Sequence, residues 1–87
     1  GDLFLCPSFF KFTNTLVPNK FPSLCGDHPR LMIPFRNEEG EIFAYQGRAF
    51  GTETPKYIKI QAGASATQNI EFYRYRVRFE LLPHSAT

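Results

Sequence analysis

Three arginines that alternate near the C-terminal end of the sequence are the first candidates for chemistry. Arg74, Arg76 and Arg78 lie two residues apart in IEFYRYRVRFELL. On a strand they would project from one face at intervals of about 6.6–6.8 Å, similar to the phosphate spacing of a single nucleic-acid strand. Positive surfaces with interleaved aromatic rings bind single strands, so the pattern indicates nucleic-acid contact. The alternative is a solvated strand face whose charges discourage aggregation.

The sequence contains no recognisable catalytic, metal or cofactor site. Cys25, Asp27 and His28 lie close together, but neighbours in sequence rarely meet in the geometry that a nucleophile and its base require. The acidic residues within 38–41 could attract a divalent cation, although a solvated turn explains them better. The two cysteines and two histidines lack zinc-site spacing, and no Gly-rich phosphate loop occurs. We therefore predict no catalytic residue, no metal and no cofactor.

Composition limits the chain to one small globular domain. It has 87 residues, of which 43% are hydrophobic and 16% aromatic, enough for a folded core but a thin one. The formal net charge of +2 predicts no general attraction to a polyanion. The charge is uneven, however, because residues 1–41 carry four basic and five acidic groups and residues 42–87 carry six and three. Six of the ten cations are arginine, whose planar guanidinium suits phosphates.

Cysteine content and hydropathy bear on the compartment. Two cysteines do not form a disulfide framework, and a reducing cytoplasm is the simplest expectation. No apolar run approaches the length that spans a bilayer, and no signal peptide is visible. The first residue is glycine rather than methionine, so we expect a trimmed chain or a fragment.

Hydrophobic periodicity predicts a short helix near the N-terminus. Phe9, Phe12 and Leu16 recur at near-helical spacing behind Ser8, a suitable N-cap, and predict a helix over residues 8–16. Prolines and a glycine make the following stretch a loop.

A β-hairpin lies at the centre of the predicted fold. The first strand, residues 31–36, contains Pro34, which is typical of an edge or a bulge. Residues 37–40 have turn chemistry and end in glycine, and residues 41–50 form the return strand. A third strand is predicted over residues 56–61.

The remaining segments complete an α+β fold: a small, mainly antiparallel sheet of about four strands with one short N-terminal helix. Small uncharged residues predict a linker, and the alternating pattern after it predicts a half-buried strand. The predicted single domain, 1–87, is divided into a helix and loop over 1–29, a hairpin plus third strand over 30–61, a linker over 62–69 and a C-terminal strand over 70–82.

Several positions of the hairpin segment are not explained by a generic hairpin. They are Arg30, Met32, Pro34, Arg36, Asn37, Gly40, Gly47, Arg48, Gly51, Pro55, Lys56 and Tyr57. In this order and spacing, residues 30–57 resemble the segment of bacterial and phage DNA primases that lies just ahead of their metal-binding Toprim core. The resemblance covers about a third of the chain.

The resemblance implies contact with a template strand. In that family the segment belongs to the polymerase domain, and its basic residues help line the path of the template. Carried over by position, Arg48 and Lys56 are the first candidates for backbone contacts, with Gly47 and Gly51 permitting close approach. The alternative is that these basic side chains stabilise the sheet through hydrogen bonds or ion pairs. The complete set of predicted nucleic-acid-binding residues is Arg48, Lys56, Arg36, Arg30, Arg74, Arg76 and Arg78.

The chain also departs from the primase pattern. The Toprim carboxylates that hold magnesium are missing after Tyr57, where only Glu71 and Glu80 occur, and the upstream zinc ribbon is absent. We therefore expect a phage-related, non-catalytic module that binds single-stranded DNA, located in the host cytoplasm if phage-derived. The alternative is a structural domain that forms homodimers through the exposed edge of its last strand. An enzyme is expected only if a partner chain supplies metal ligands.

Overall fold

A computed structural model describes residues 2–63 and 65–80 of the chain. An antiparallel sheet with strand order β1-β2-β3-β4 is its largest element. Among the described residues, no helix combines the length and the apolar character needed to span a membrane. The elements in chain order are β1 (Phe4–Cys6), α1 (Phe9–Leu16), β2 (Arg30–Arg36), β3 (Ile42–Ala49), β4 (Tyr57–Gln61) and α2 (Ala66–Glu80).

The central hairpin forms as its sequence predicts. Asn37 closes the turn, because its side-chain oxygen accepts hydrogen bonds from the backbone N–H groups of Glu39 and Glu41 at 3.0 and 2.9 Å. Gly40 takes a φ of 81°, a conformation that glycine adopts without steric cost. The register then skips Phe43, which lies in a β-bulge because Phe35 pairs with Ala44 and the next residue pairs with Ile42.

Both helices pack on one face of the sheet and enclose the core. Phe9 and Phe12 of α1 lie against Tyr45, with ring centroids 5.8 and 6.3 Å away. The Thr13 and Tyr45 hydroxyls are 2.9 Å apart, so these buried polar groups satisfy each other. From α2, Tyr73 stacks on Phe12 at 4.0 Å. The buried core cluster contains Cys6, Phe9, Phe12, Met32, Ile42, Tyr45, Ile60, Ala66 and Ile70.

The start of α1 is capped from a distant loop. Ser8 makes no side-chain cap hydrogen bond. Instead, the Asp27 carboxylate accepts hydrogen bonds from the backbone N–H groups of Phe10 and Lys11, at 2.8 and 3.2 Å. A carboxylate at a helix N-terminus satisfies unpaired donors and complements the helix dipole, so Asp27 attaches the long 17–29 loop to the helix.

The α+β class and the antiparallel sheet are confirmed, but the predicted C-terminal strand is wrong. Residues 66–80 form the helix α2, so the chain has a second helix. The last four residues of the predicted linker, 66–69, belong to that helix. The fourth strand of the sheet is the N-terminal β1, and the last two residues predicted as strand, 81 and 82, lie outside the described residues. The segment fits a helix because Ile70, Tyr73 and Val77 recur at intervals of three and four and face the core.

Candidate nucleic-acid interface

The sheet has a second face. In the described part of the chain, residues 2–63 and 65–80, neither helix packs on it. Its side chains alternate with those of the core: Met32, Gly47 and Ile58 pair in register towards the helices, and their strand neighbours point the other way. We call this surface the open sheet face. It is formed by Leu5, Leu31, Ile33, Phe35, Ala44, Gln46, Arg48, Tyr57, Lys59 and Gln61.

Arg48 and Tyr57 form the first of two cation–aromatic pairs on this face. They are direct cross-strand partners on β3 and β4. The Arg48 Nε donates a hydrogen bond to the Tyr57 hydroxyl at 3.2 Å, and the guanidinium carbon lies 5.9 Å from the ring centroid. The Tyr57 side chain remains accessible, because the residue is 48% exposed.

Lys59 and Phe35 form the second pair, two strands apart. The Lys59 Nζ lies 5.5 Å from the Phe35 ring centroid, within the range of cation–π attraction. Gln46 lies between the two pairs, opposite Lys59 in register. The ten residues of the open sheet face therefore include two cations and two aromatic rings but no carboxylate.

Lys56 lies at the same end of the sheet as Arg48. It directly precedes β4, and its backbone oxygen accepts a hydrogen bond from the Ala49 N–H at 2.8 Å. Its side chain is exposed. The structure thus brings Arg48 and Lys56 to neighbouring positions at one end of the sheet, with Arg48 on the open sheet face and Lys56 in the segment that leads into β4.

Arg30, by contrast, is part of the protein interior. It is 1% exposed, and its Nη1 donates to the backbone oxygens of Gly47 and Pro55 at 3.1 and 2.9 Å. Its Nη2 lies 3.2 Å from the His28 Nε2, and its guanidinium lies over the Phe9 ring. Burial lowers the pKa of Arg30, but a guanidinium stays charged in proteins. Arg30 therefore stabilises the sheet, and in this conformation a phosphate cannot reach it.

Arg36 belongs to a charge network that joins three parts of the chain. Its Nε lies 2.6 Å from an Asp2 carboxylate oxygen, and its Nη2 lies 3.2 Å from Glu71 of α2. Arg74 approaches the same two carboxylates, at 3.4 and 3.9 Å. The hydrogen bond from Arg36 holds the pKa of Asp2 below its usual value, against a smaller effect of burial. The positive charge of Arg36 is therefore balanced within the protein.

The remaining arginines do not form the row that alternation predicted. On a helix, Arg74 and Arg78 share one side, and Arg76 lies about 200° away around the axis. Arg76 lies 3.6 Å from Glu80 and over the Tyr73 ring at 5.6 Å. The prediction that these arginines match the phosphate spacing of a single strand required a β-strand. It is wrong, because the segment is a helix.

The structure also separates the residues that could have formed a nucleophilic site. Asp27 caps α1 and His28 contacts Arg30, so neither is engaged with the exposed Cys25. Burial raises the pKa of the Cys6 thiol to about 11, which keeps it protonated. Among the described residues, no three His, Cys, Asp or Glu side chains are placed to hold a metal ion.

Four members of the open sheet face, two aromatic, one basic and one amide, lie outside the sequence-based prediction. Phe35, Tyr57, Lys59 and Gln46 were not among the predicted contacts. The alternation of YIKIQ provides a signal for two of them, because it places Tyr57 and Lys59 on the face opposite two isoleucines.

Comparison with known proteins relates part of the chain to primases. No family model matches the sequence. The chain is 37% identical over 59 residues to the DNA primase of Enterobacteria phage T4, a match covering 67% of this chain and 17% of that protein. It is 48% identical over 29 residues to the DNA primase of Thermotoga maritima, covering 33% of this chain and 5% of that protein. The aligned part is thus less than a fifth of either relative. This chain therefore contains a segment related to DNA primases, as the resemblance of residues 30–57 predicts.

Proposed function

We propose that this chain is a non-catalytic module that binds single-stranded DNA, derived from the region of a primase that precedes the Toprim core. The observation that carries the proposal is the placement of Arg48 and Lys56 at the same end of the sheet, with Arg48 on the open sheet face. Both positions match the primase segment; the Lys56 residue is exposed and Arg48 is partly exposed.

The charges of the molecule support this surface over others. Arg30 is buried, and Arg36 is paired with carboxylates. Arg48, Lys56 and Lys59 make no ion pair in the described part of the chain, and Arg48 contacts a neutral tyrosine. Cations that are not already neutralised can release counterions from a phosphate backbone, which is the main source of non-specific affinity.

The non-catalytic part of the proposal rests on the carboxylates. The two that follow Tyr57 in the sequence, Glu71 and Glu80, each lie near an arginine of α2 or β2. Glu71 shares Arg36 and Arg74 with Asp2, so arginines neutralise these carboxylates, and no group of three His, Cys, Asp or Glu side chains in the described residues is placed to hold a metal ion.

Fluorescence anisotropy with a labelled single-stranded oligonucleotide, measured over a range of salt concentrations, tests the proposal. Each phosphate contact on a single strand contributes about −0.7 to the slope of log K against log salt. The double variant Arg48→Ala/Lys56→Ala should therefore flatten the slope by about 1.4. Lys11→Ala/Lys20→Ala is the matched control, because it removes the same charge from exposed positions outside the sheet. Absence of binding at low salt, or equal losses in both double variants, would contradict the proposal.

Homodimerisation is a second candidate, and an exposed stripe on α2 favours it. Phe72, Tyr75 and Phe79 are 65%, 68% and 63% exposed and lie on the side of α2 opposite its buried face. The rings of Tyr75 and Phe79 stack at 6.5 Å. This stripe replaces the edge of the predicted last strand as the candidate contact, with a second copy of the chain as its occupant.

Light scattering over a concentration series tests the homodimer. Self-association through α2 predicts a mass that rises towards that of a dimer and returns to that of a monomer in Phe72→Ser/Phe79→Ser. The control Phe43→Ser/Phe50→Ser removes two exposed phenylalanines from outside α2 and should leave the mass unchanged. A monomer at every concentration excludes the homodimer.

A further inference from the structure

The aromatic rings of the two cation–aromatic pairs, Tyr57 and Phe35, lie on the open sheet face and do not pack in the core. Tyr57 and Phe35 are absent from the core cluster and from the residues packed against it. Phe35 is partly buried and Tyr57 is about half exposed. Each ring has a cation within 6 Å of its centre, and neither ring has a carboxylate beside it on this face.

The spacing of the rings follows from the strand register. Tyr57 pairs with Arg48, and Phe35 pairs with Ala44, four residues away on the same β3 strand. This gives roughly 13 Å along the strands and about 10 Å across two strand spacings, so the rings lie on the order of 16 Å apart. At about 3.4 Å per stacked nucleotide this distance corresponds to roughly five nucleotides, and to fewer on an extended strand.

We infer that the open sheet face binds single-stranded DNA through its bases, with Tyr57 and Phe35 as stacking platforms and Arg48 and Lys59 on the neighbouring phosphates. The inference rests on the proposed function and specifies the ligand further. Bases in a duplex stack on one another and offer no free face, whereas unpaired bases do. The surface should therefore bind a single strand more tightly than a duplex, and a strand with bases more tightly than an abasic strand. Phosphate contacts alone would not produce these preferences.

Charge and polarity on the same face favour this occupant over a protein. Lys59 and Arg48 flank the rings, and Gln46 lies between them with a side-chain amide that can donate to and accept from base edges. An apolar protein partner could bury the leucine and isoleucine side chains of the open sheet face. It would, however, leave the polar groups of Gln46, Arg48 and Lys59 without hydrogen-bond partners.

Three labelled ligands of equal length separate stacking from charge: oligothymidylate, an abasic strand with the same number of phosphates, and a duplex. We expect the native chain to bind oligothymidylate about five- to a hundred-fold more tightly than the abasic strand, the range that base–aromatic stacking gives. Tyr57→Leu and Phe35→Leu should each remove much of this preference, and Tyr57→Phe should retain it. Leu24→Ala, at an exposed apolar residue of the 17–29 loop outside the sheet, is the control and should change nothing.

The outcomes distinguish this inference from the function on which it rests. If no ligand binds, the proposed nucleic-acid function fails. If all three bind alike and the Tyr57 and Phe35 variants match the native chain, the module binds phosphates alone, and the stacking inference is overturned. Circular dichroism of each variant confirms that it is folded. If Phe35→Leu fails to fold, the more exposed Tyr57 decides the result.

Discussion

The ring of Phe9 lies directly against the backbone of Gly47, where it occupies the space that any other residue would need for its Cβ. Gly47 is therefore required by packing between α1 and β3. This is a different reason from the close approach to a phosphate that the primase resemblance implied for the same residue. The Gly47–Arg48 pair thus combines a packing position on one face of the sheet with a charge on the other.

Gly47→Ala should destabilise the protein. A Cβ at this position would force the Phe9 ring to move within the core, and overpacking of this kind costs about 1–3 kcal/mol. Urea denaturation measures the change. Gly63→Ala is the control, because the nearest atom to its Cβ would be 3.8 Å away. The double variant Gly47→Ala/Phe9→Leu should recover part of the loss, and native-like stability of Gly47→Ala alone would contradict this account.

Because Asp27 caps α1, substituting Asp27 should lower stability more than substituting Ser8, the cap that the sequence suggests. Asp27→Ala should cost about 0.5–2 kcal/mol, because the N–H groups of Phe10 and Lys11 lose their acceptor. Ser8→Ala, at the residue that the sequence suggests as the cap, should change stability by less than about 0.5 kcal/mol. Thermal and urea unfolding of both variants would show the difference. A larger effect at Ser8 than at Asp27 would rule out the loop cap.

The Asp2–Arg36 contact predicts a loss of stability in acid. The pKa of Asp2 is lowered in the folded state, mainly by the hydrogen bond from Arg36. The folded state therefore binds this proton less readily than the unfolded chain does. The contribution is present above the ordinary Asp pKa and disappears as the pH falls through the lowered value.

Urea midpoints measured from neutral pH into the acid range test this prediction. Asp2→Asn should reduce the acid-dependent loss of stability. Glu38→Gln removes a carboxylate that forms no ion pair within the described chain, so it should leave the pH profile of the native protein in place. Identical profiles for Asp2→Asn and the native chain would refute the role of the contact.

Arg30 and Arg48 should respond in opposite ways to the same substitution. Arg30→Met removes charge-assisted hydrogen bonds to buried carbonyl groups, each worth about 1.5–3 kcal/mol, so we expect a loss of at least ~2 kcal/mol in stability. The affinity of the folded fraction for single-stranded DNA should stay unchanged. Arg48→Met, on the open sheet face, should weaken DNA binding with a stability change near ±0.5 kcal/mol. The reverse pattern would place the binding surface elsewhere.

Much of the fold follows from local sequence, because short-range physics determines it. The turn at Asn37 and Gly40 depends on an amide that bonds its own backbone and on a residue free to take a positive φ. The α1 helix follows from the spacing of Phe9 and Phe12. These preferences are the same whichever surface the hairpin or the helix packs against, so the sequence alone predicts them.

The candidate site was predicted in part. Lys56 is exposed and Arg48 is partly exposed, whereas Arg30 and Arg36 have partners that are distant in sequence. The partners of Arg36 are Asp2 and Glu71. The residue type alone does not show whether an arginine contacts a phosphate or a protein carbonyl group, because its guanidinium can donate hydrogen bonds to either. Only the assembled sheet determines which acceptor is within reach.

The C-terminal segment shows where local sequence preferences stop predicting the fold. IEFYRYRVRFE alternates like a strand, yet Ile70, Tyr73 and Val77 also recur like the apolar face of a helix. The central hairpin, the first helix and the likeness to primases can be predicted from local sequence alone. Packing decided the rest, because only a helix lets Tyr73 reach Cys6 at 3.5 Å and stack on Phe12 while Ile70 enters the same core. The segment's sequence is compatible with either a strand or a helix. The helix buries its apolar residues on the face of the sheet that α1 also covers.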